Sequence, residues 1–111
     1  MGKKAAKTEV KSLVRQLERF KKANRFEMMI LFGSYATGNY NKDSDVDLII
    51  IDKRFGNKSA SERSSGLWIK WHLNQKMSLP VDFLCYTPEE FSEMGKRITI
   101  VSEALREGIK V

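Results

Sequence analysis

The segment Asp45–Asp52, DVDLIIID, does most to narrow what this chain can fold into. Its three consecutive isoleucines, after Val46 and Leu48, make it the most β-like stretch of the sequence. Strands are poor in Asp, however, and the alternation of side chains sets Asp45 and Asp47 on one face. Two like charges side by side repel unless a cation sits between them. Magnesium suits such a pair, because it takes hard carboxylate oxygens and keeps positions open for water and phosphate. Asp82 repeats the pattern as a lone carboxylate within Val81, Phe83, Leu84 and Cys85. It becomes a third ligand if its strand lies beside the second, a matter of sheet order that the sequence leaves open. Any one of the three reads equally well as a strand-end residue satisfied by backbone N–H groups; together they favour the metal.

Around this segment the chain alternates helical and strand periods. Val10, Leu13, Val14 and Leu17 recur at helical spacing and predict an amphipathic helix from about Thr8, a candidate N-cap, to Lys22. Arg25–Phe32 reads as the first strand, Asn39–Ser44 as a turn, and Leu79–Tyr86 as the third strand, with Pro80 tolerable at its start or on an edge. Ser59 and Glu62 form a capping box that opens a helix to about Gln75, anchored by Leu67, Trp68, Trp71 and Met77. Thr87, Pro88 and Glu90 open another, continued by Phe91, Met94, Ile98, Val101, Ala104 and Leu105, interrupted near Gly95 and stopped at Gly108. The order helix, strand, strand, helix, strand, helix predicts α/β or α+β, with helices packed on one small sheet.

Gly33 and Ser34 follow the first strand directly, where a glycine lets backbone approach an anion and a hydroxyl can donate to a phosphate oxygen. Alone this is more often a plain turn. Ten residues separate Ser34 from Asp45, enough for one helical turn and a return into an adjacent strand, so that phosphate cradle and carboxylates face each other. Lys42, in the turn before Asp45, reads as a solvated lysine rather than a phosphate ligand.

Gly33-Ser34, the ten-residue gap, Asp45-Val46-Asp47-Leu48 and the later Asp82 together resemble the minimal nucleotidyltransferases of the DNA polymerase beta superfamily. The resemblance covers Phe26 to Tyr86 by motif and nearly the whole chain by element order. It implies a mixed sheet flanked by helices in one domain over residues 1–111, with the basic helix at about 8–22, the motif region at 26–86 and C-terminal helices at about 87–107. It also implies a nucleoside triphosphate, ATP foremost, two magnesium ions, and transfer of a nucleoside monophosphate to an acceptor hydroxyl with release of pyrophosphate. Gly33 and Ser34 would then hold the triphosphate, Asp45 and Asp47 both metals, and Asp82 the metal nearer the acceptor. Small proteins of this type are often the antitoxin of a toxin–antitoxin pair whose other half is an all-helical HEPN-class protein, and that partner is part of the expectation.

Composition sets the rival reading. Through Arg25 there are nine basic and two acidic residues, whereas the remaining 86 carry eleven basic and twelve acidic, so the overall +6 is local to the N-terminal helix. Such a face attracts polyanions, which keeps open a non-catalytic module that neutralises a partner protein or binds nucleic acid through this helix and the tryptophan helix. Only one aromatic, Phe20, lies among these charges, which counts against single-strand stacking and makes nucleic acid the lesser partner. One cysteine, Cys85, excludes an internal disulfide, and no run approaches a membrane span or a signal peptide, so the expectation is a cytoplasmic protein. His72, the only histidine, lacks a second ligand nearby and reads as structural.

Overall fold

The computed structural model describes residues 2–74, 79–96 and 100–111. Helix α1 (Gly2–Asn24) leads into β1 (Met28–Phe32), a single helical turn α2 (Ser34–Thr37) and β2 (Val46–Ile51). A 3-10 turn at Lys53–Phe55 precedes α3 (Ala60–Ile69), which continues as a π-helical stretch, Lys70–Asn74. Then follow β3 (Val81–Tyr86), α4 (Pro88–Gly95), α5 (Ile100–Glu107) and β4 (Ile109–Lys110). The sheet order is β3-β2-β1-β4, with β2 parallel to β3 and both other pairings antiparallel.

Central position explains the composition of β2. Val46, Leu48 and Ile50 point to the face covered by α1 and α3, where Leu13, Leu17, Phe20, Leu67 and Trp71 are buried. Ile49 and Ile51 point to the opposite face, against Ile30, Phe32 and Ala104. A strand covered on both sides reads as continuously apolar. Phe20 is the hub of the first face, its ring 5.3 Å from Trp71, 5.7 Å from Phe26 and 6.1 Å from Phe83. Trp71 can be fully buried because its indole N–H donates to the Leu79 carbonyl at 2.9 Å.

Several expectations need correction. Helix α1 begins well before Thr8, which lies within it instead of capping it. Arg25 is not in β1: it ends α1 in the left-handed region (φ 56°), and the Phe26 amide closes the helix on the Lys21 carbonyl. Trp68 does not anchor α3; it is 54% exposed and lies against His72 at 4.0 Å, one position round the helix from the buried Leu67. Leu105 is likewise exposed. Both capping boxes form, at Ser59 with Glu62 and at Thr87 with Glu90. Met77, Ile98 and the side chain of Val101 lie outside the described residues, as does the expected helix end at Gln75. Strand β4 was not anticipated, since two residues after Gly108 carry no periodicity.

Asp52 is not a strand residue but the N-cap of the 3-10 turn. Its buried carboxylate is held by Arg54 through Nε at 2.8 Å and Nη2 at 2.7 Å, while Nη2 also donates to the carbonyls of Asn24 and Arg25. The guanidinium thus ties the end of α1 to the end of β2, and its hydrogen bonds hold the Asp52 carboxyl below the usual carboxylate range. Arg54→Ala is expected to cost about 3 kcal/mol at neutral pH, by leaving a buried carboxylate unpaired. Stability from a depressed carboxyl is present above its ordinary value of 3.8 and fades as pH falls through the lowered native value. Urea melts of variant and wild type should therefore differ at pH 7 and converge on acidification; equal midpoints at pH 7 would contradict this assignment.

Candidate active site

Two strand registers assemble the site. Antiparallel pairing sets Phe32, the last residue of β1, opposite Asp47, so the turn at Gly33 lands beside that carboxylate. Parallel pairing sets Asp47 opposite Asp82, with the Val46 amide donating to the Pro80 carbonyl at 2.8 Å to fix where β3 begins. Gly33, Asp47 and Asp82 therefore stand side by side at one end of the sheet, on the face toward α5. Asp45 lies two residues earlier, exposed and ahead of the strand.

Gly33 is demanded by this arrangement. Its backbone (φ 75°, ψ −154°) lies in a region open essentially to glycine alone, and a Cβ there would fall 2.3 Å from Oδ2 of Asp47. Its carbonyl accepts from the amides of Ala36 and Thr37, which starts α2 at Ser34. The first amides of a helix have no acceptor within it. Gly38, also left-handed, ends the turn.

Burial, then the carboxylate of Asp82, then that of Asp45 push Asp47 above the ordinary carboxylate range. All three expected aspartates are thus coupled through Asp47, although among the described residues no three acidic, His or Cys side chains converge tightly enough to hold an ion as they stand. The donors on offer would suit magnesium: Asp45, Asp47 and Asp82 present carboxylate oxygens, with no nitrogen or sulfur to favour a softer metal. The absent Cβ of Gly33 lets the Asp47 carboxylate pack against the backbone of the turn.

The sequence reading missed two features. Tyr35 of α2 is buried and stacks on Tyr40 at 4.4 Å, and Tyr40 donates its hydroxyl hydrogen bond to Glu9 of α1. This clasp holds the loop that leads to Asp45, and burial, with Glu9 and Asp45 nearby, raises the Tyr35 phenol above its ordinary range. Tyrosines separated by a turn give no sequence signal of stacking. Secondly, α5 walls a cavity of about 400 Å³ that contains Gly33, Asp47 and Asp82, and contributes Glu103 and Glu107 to it. Lys42 is exposed, in keeping with a solvated lysine. Cys85 is partly buried, its thiol pushed up to about 12 by burial, which leaves it inert as a nucleophile at neutral pH.

Known proteins show the family and the fold. The family model described as "Nucleotidyltransferase domain" matches residues 11–107. A crystal structure from Sulfolobus solfataricus, provisionally described as a nucleotidyltransferase, superposes with a TM-score of 0.55 over 96% of this chain and 82% of that one, at 16% identity. No curated protein gives a significant match. Among the described residues no helix is long and apolar enough to cross a membrane.

Gly33→Ala is expected to destabilise the fold by about 1–3 kcal/mol, from strain at positive φ and the clash with Asp47. Adding Asp47→Ala should return part of that loss, a coupling that a double-mutant cycle in urea would read; strict additivity would refute the contact. Asp47→Asn should stabilise metal-free protein at neutral pH. With its native pKa raised, Asp47 contributes fully below its ordinary 3.8 and loses that contribution as pH rises through the native value. Thermal melts in EDTA should separate the two proteins at pH 7 and bring them together at low pH.

Proposed function

As a member of the nucleotidyltransferase domain family this chain is an enzyme of nucleotidyl transfer, and we propose that it moves AMP from ATP to an acceptor hydroxyl in a magnesium-dependent reaction, releasing pyrophosphate. The observation that carries this reading is the register pairing Asp47 with Asp82, next to a Gly33 whose missing Cβ accommodates Asp47. Such a pair of carboxylates, pressed together on a half-buried strand end, is electrostatically costly without a cation.

In this reading Asp45 and Asp47 hold two magnesium ions, Asp82 completes the one nearer the acceptor, and Gly33 with Ser34 receives the triphosphate. The chemistry magnesium supplies when bound is neutralisation of phosphate charge and a lowered pKa for the acceptor hydroxyl. The chain's own groups do the rest. The amides at the start of α2 and the Ser34 hydroxyl orient the phosphates; the Tyr35–Tyr40–Glu9 clasp steadies the loop before Asp45. Asp82, the more exposed of the paired carboxylates, takes the hydroxyl proton as the acceptor oxygen bonds to the α-phosphorus. The bond to the bridging oxygen breaks on the opposite side, and pyrophosphate leaves with its electron pair.

The motif resemblance extends the proposal to a role as antitoxin, with an all-helical HEPN-class protein as partner, in the cytoplasm. A second reading, a non-catalytic binding module, is favoured by one observation: Trp68, Ile69 and Leu73 are 54%, 56% and 68% exposed along α3 and its π-helical extension.

Isothermal titration of ATP, GTP, CTP and UTP, with magnesium or with EDTA, separates the two readings. ATP is expected to bind only with magnesium and to lose at least tenfold in affinity in Asp47→Asn, with transfer falling at least a hundredfold in Asp45→Asn, Asp47→Asn and Asp82→Asn. Retained transfer in all three variants would refute the site. Binding of a polyanion that weakens steeply with salt and ignores EDTA would favour the module.

A further inference from the structure

The outward face of α3 is apolar where solvent favours charge. Leu67 and Trp71 supply the helix's burial, whereas Ile69, Leu73 and the adjacent Trp68 are each more than half exposed. One turn before Ile69 stands Gly66. A Cβ there would meet nothing within 4 Å, and its backbone is ordinary helix, so no contact inside the chain requires a glycine. Glycine within a helix costs stability relative to alanine. The positions 66, 69 and 73 are spaced by three and then four, the seam through which one helix packs on another. A glycine in such a seam lets a second backbone come close.

One rim of the seam is basic. Gly66 also lines a recess of about 140 Å³ together with Arg54, Lys58, Arg63 and Lys70. The two carboxylates of that recess are engaged within the chain, Asp52 by Arg54 and Glu62 by the Ser59 amide. Arg63 is matched by Glu90, but among the described residues no ion pair involves Lys58 or Lys70. The recess therefore has positive charge to offer an anion from outside.

We propose that this face of α3 docks an amphipathic helix of a partner protein, one that brings aliphatic side chains to Gly66, Ile69 and Leu73 and carboxylates to Lys58 and Lys70. Two rival occupants fit less well. A second copy of this chain would bring the same basic rim against itself. Single-stranded nucleic acid needs phosphate contacts beside its stacked bases, yet Trp68 and Lys70 fall on opposite sides of Ile69, so an aliphatic ridge parts the indole from the lysines. The inference rests on α3 and its rim, whatever Asp45, Asp47 and Asp82 hold.

The test uses fluorescently labelled helical peptides of about three heptads, read by anisotropy. One carries leucines along a seam with glutamates beside it; a second replaces the glutamates by lysines, and a third replaces the leucines by serines. The first is expected to bind at least tenfold more tightly than either control. Ile69→Ser/Leu73→Ser should weaken it at least tenfold, and Lys58→Gln/Lys70→Gln should shrink the preference for glutamate over lysine. Gly66→Leu fills the seam and should also cost at least tenfold, yet melt no lower than wild type, since leucine is the better helix former and has open space to enter. Equal binding of the three peptides overturns the proposal, as does unchanged binding in Gly66→Leu or no binding of the first peptide up to about 1 mM. A single-stranded oligonucleotide whose binding is lost in Ile69→Ser/Leu73→Ser assigns the face to nucleic acid instead. Dimers in sedimentation of the wild-type chain alone, dissociated by Gly66→Leu, assign it to a second copy; either result overturns the proposal.

Discussion

Burial of β2 on both faces is the constraint from which the rest follows. Because side chains alternate along a strand, the register that sends Val46, Leu48 and Ile50 toward α1 and α3 also sends Asp47 toward α5. A slip of one residue would drive Asp47 into the aromatic cluster around Phe20 and turn Val46, Leu48 and Ile50 out of it. The energy that fixes the fold and the placement of the charged group are therefore one quantity. Neighbouring strands inherit it, since Phe32 and Asp82 take their positions from Asp47 by backbone pairing alone.

Charge is distributed as unevenly as hydrophobicity. Basic residues crowd α1, on one side of the sheet, while the opposite side ends in paired aspartates with acidic residues of α5 across a gap. Between these poles, single guanidinium groups act as fasteners. Arg63 joins the Lys58 and Cys85 carbonyls to the carboxylate of Glu90, which its hydrogen bonds hold at about 2. Arg54 does the same for the end of α1. Both lie at the sheet end away from Asp47, and among the described residues no ion pair involves the acidic end.

Strand identities, the two capping boxes and the family resemblance were legible because each rests on local pattern: three isoleucines, Ser59 with Glu62, Gly33-Ser34 ten residues before Asp45. Adjacency of Asp82 to Asp47 was only a supposition, since parallel pairing is decided by packing of the crossover helix and leaves no mark on either strand. Trp68 was misassigned because a helix turns 100° per residue, and Leu67 and Trp71 take the inward face, leaving Trp68 beside it. Glu103 and Glu107 went unnoticed because two glutamates one turn apart on an amphipathic helix look like solvated surface. Only the packing of Ala104 against Ile30 and Phe32 turns that side of α5 toward the aspartates.

The parallel pairing of β2 with β3 also bears on how the chain reaches its native state. Strands β1 and β2 meet across residues 33–45, whereas β3 joins β2 only after closure over the longer α3 crossover, the costlier loop to close. That late closure is also the step that brings Asp82 against Asp47. Repulsion between the carboxylates, which pushes Asp47 above the ordinary carboxylate range, thus opposes completion of the sheet. Topological closure and the meeting of these two carboxylates are one event.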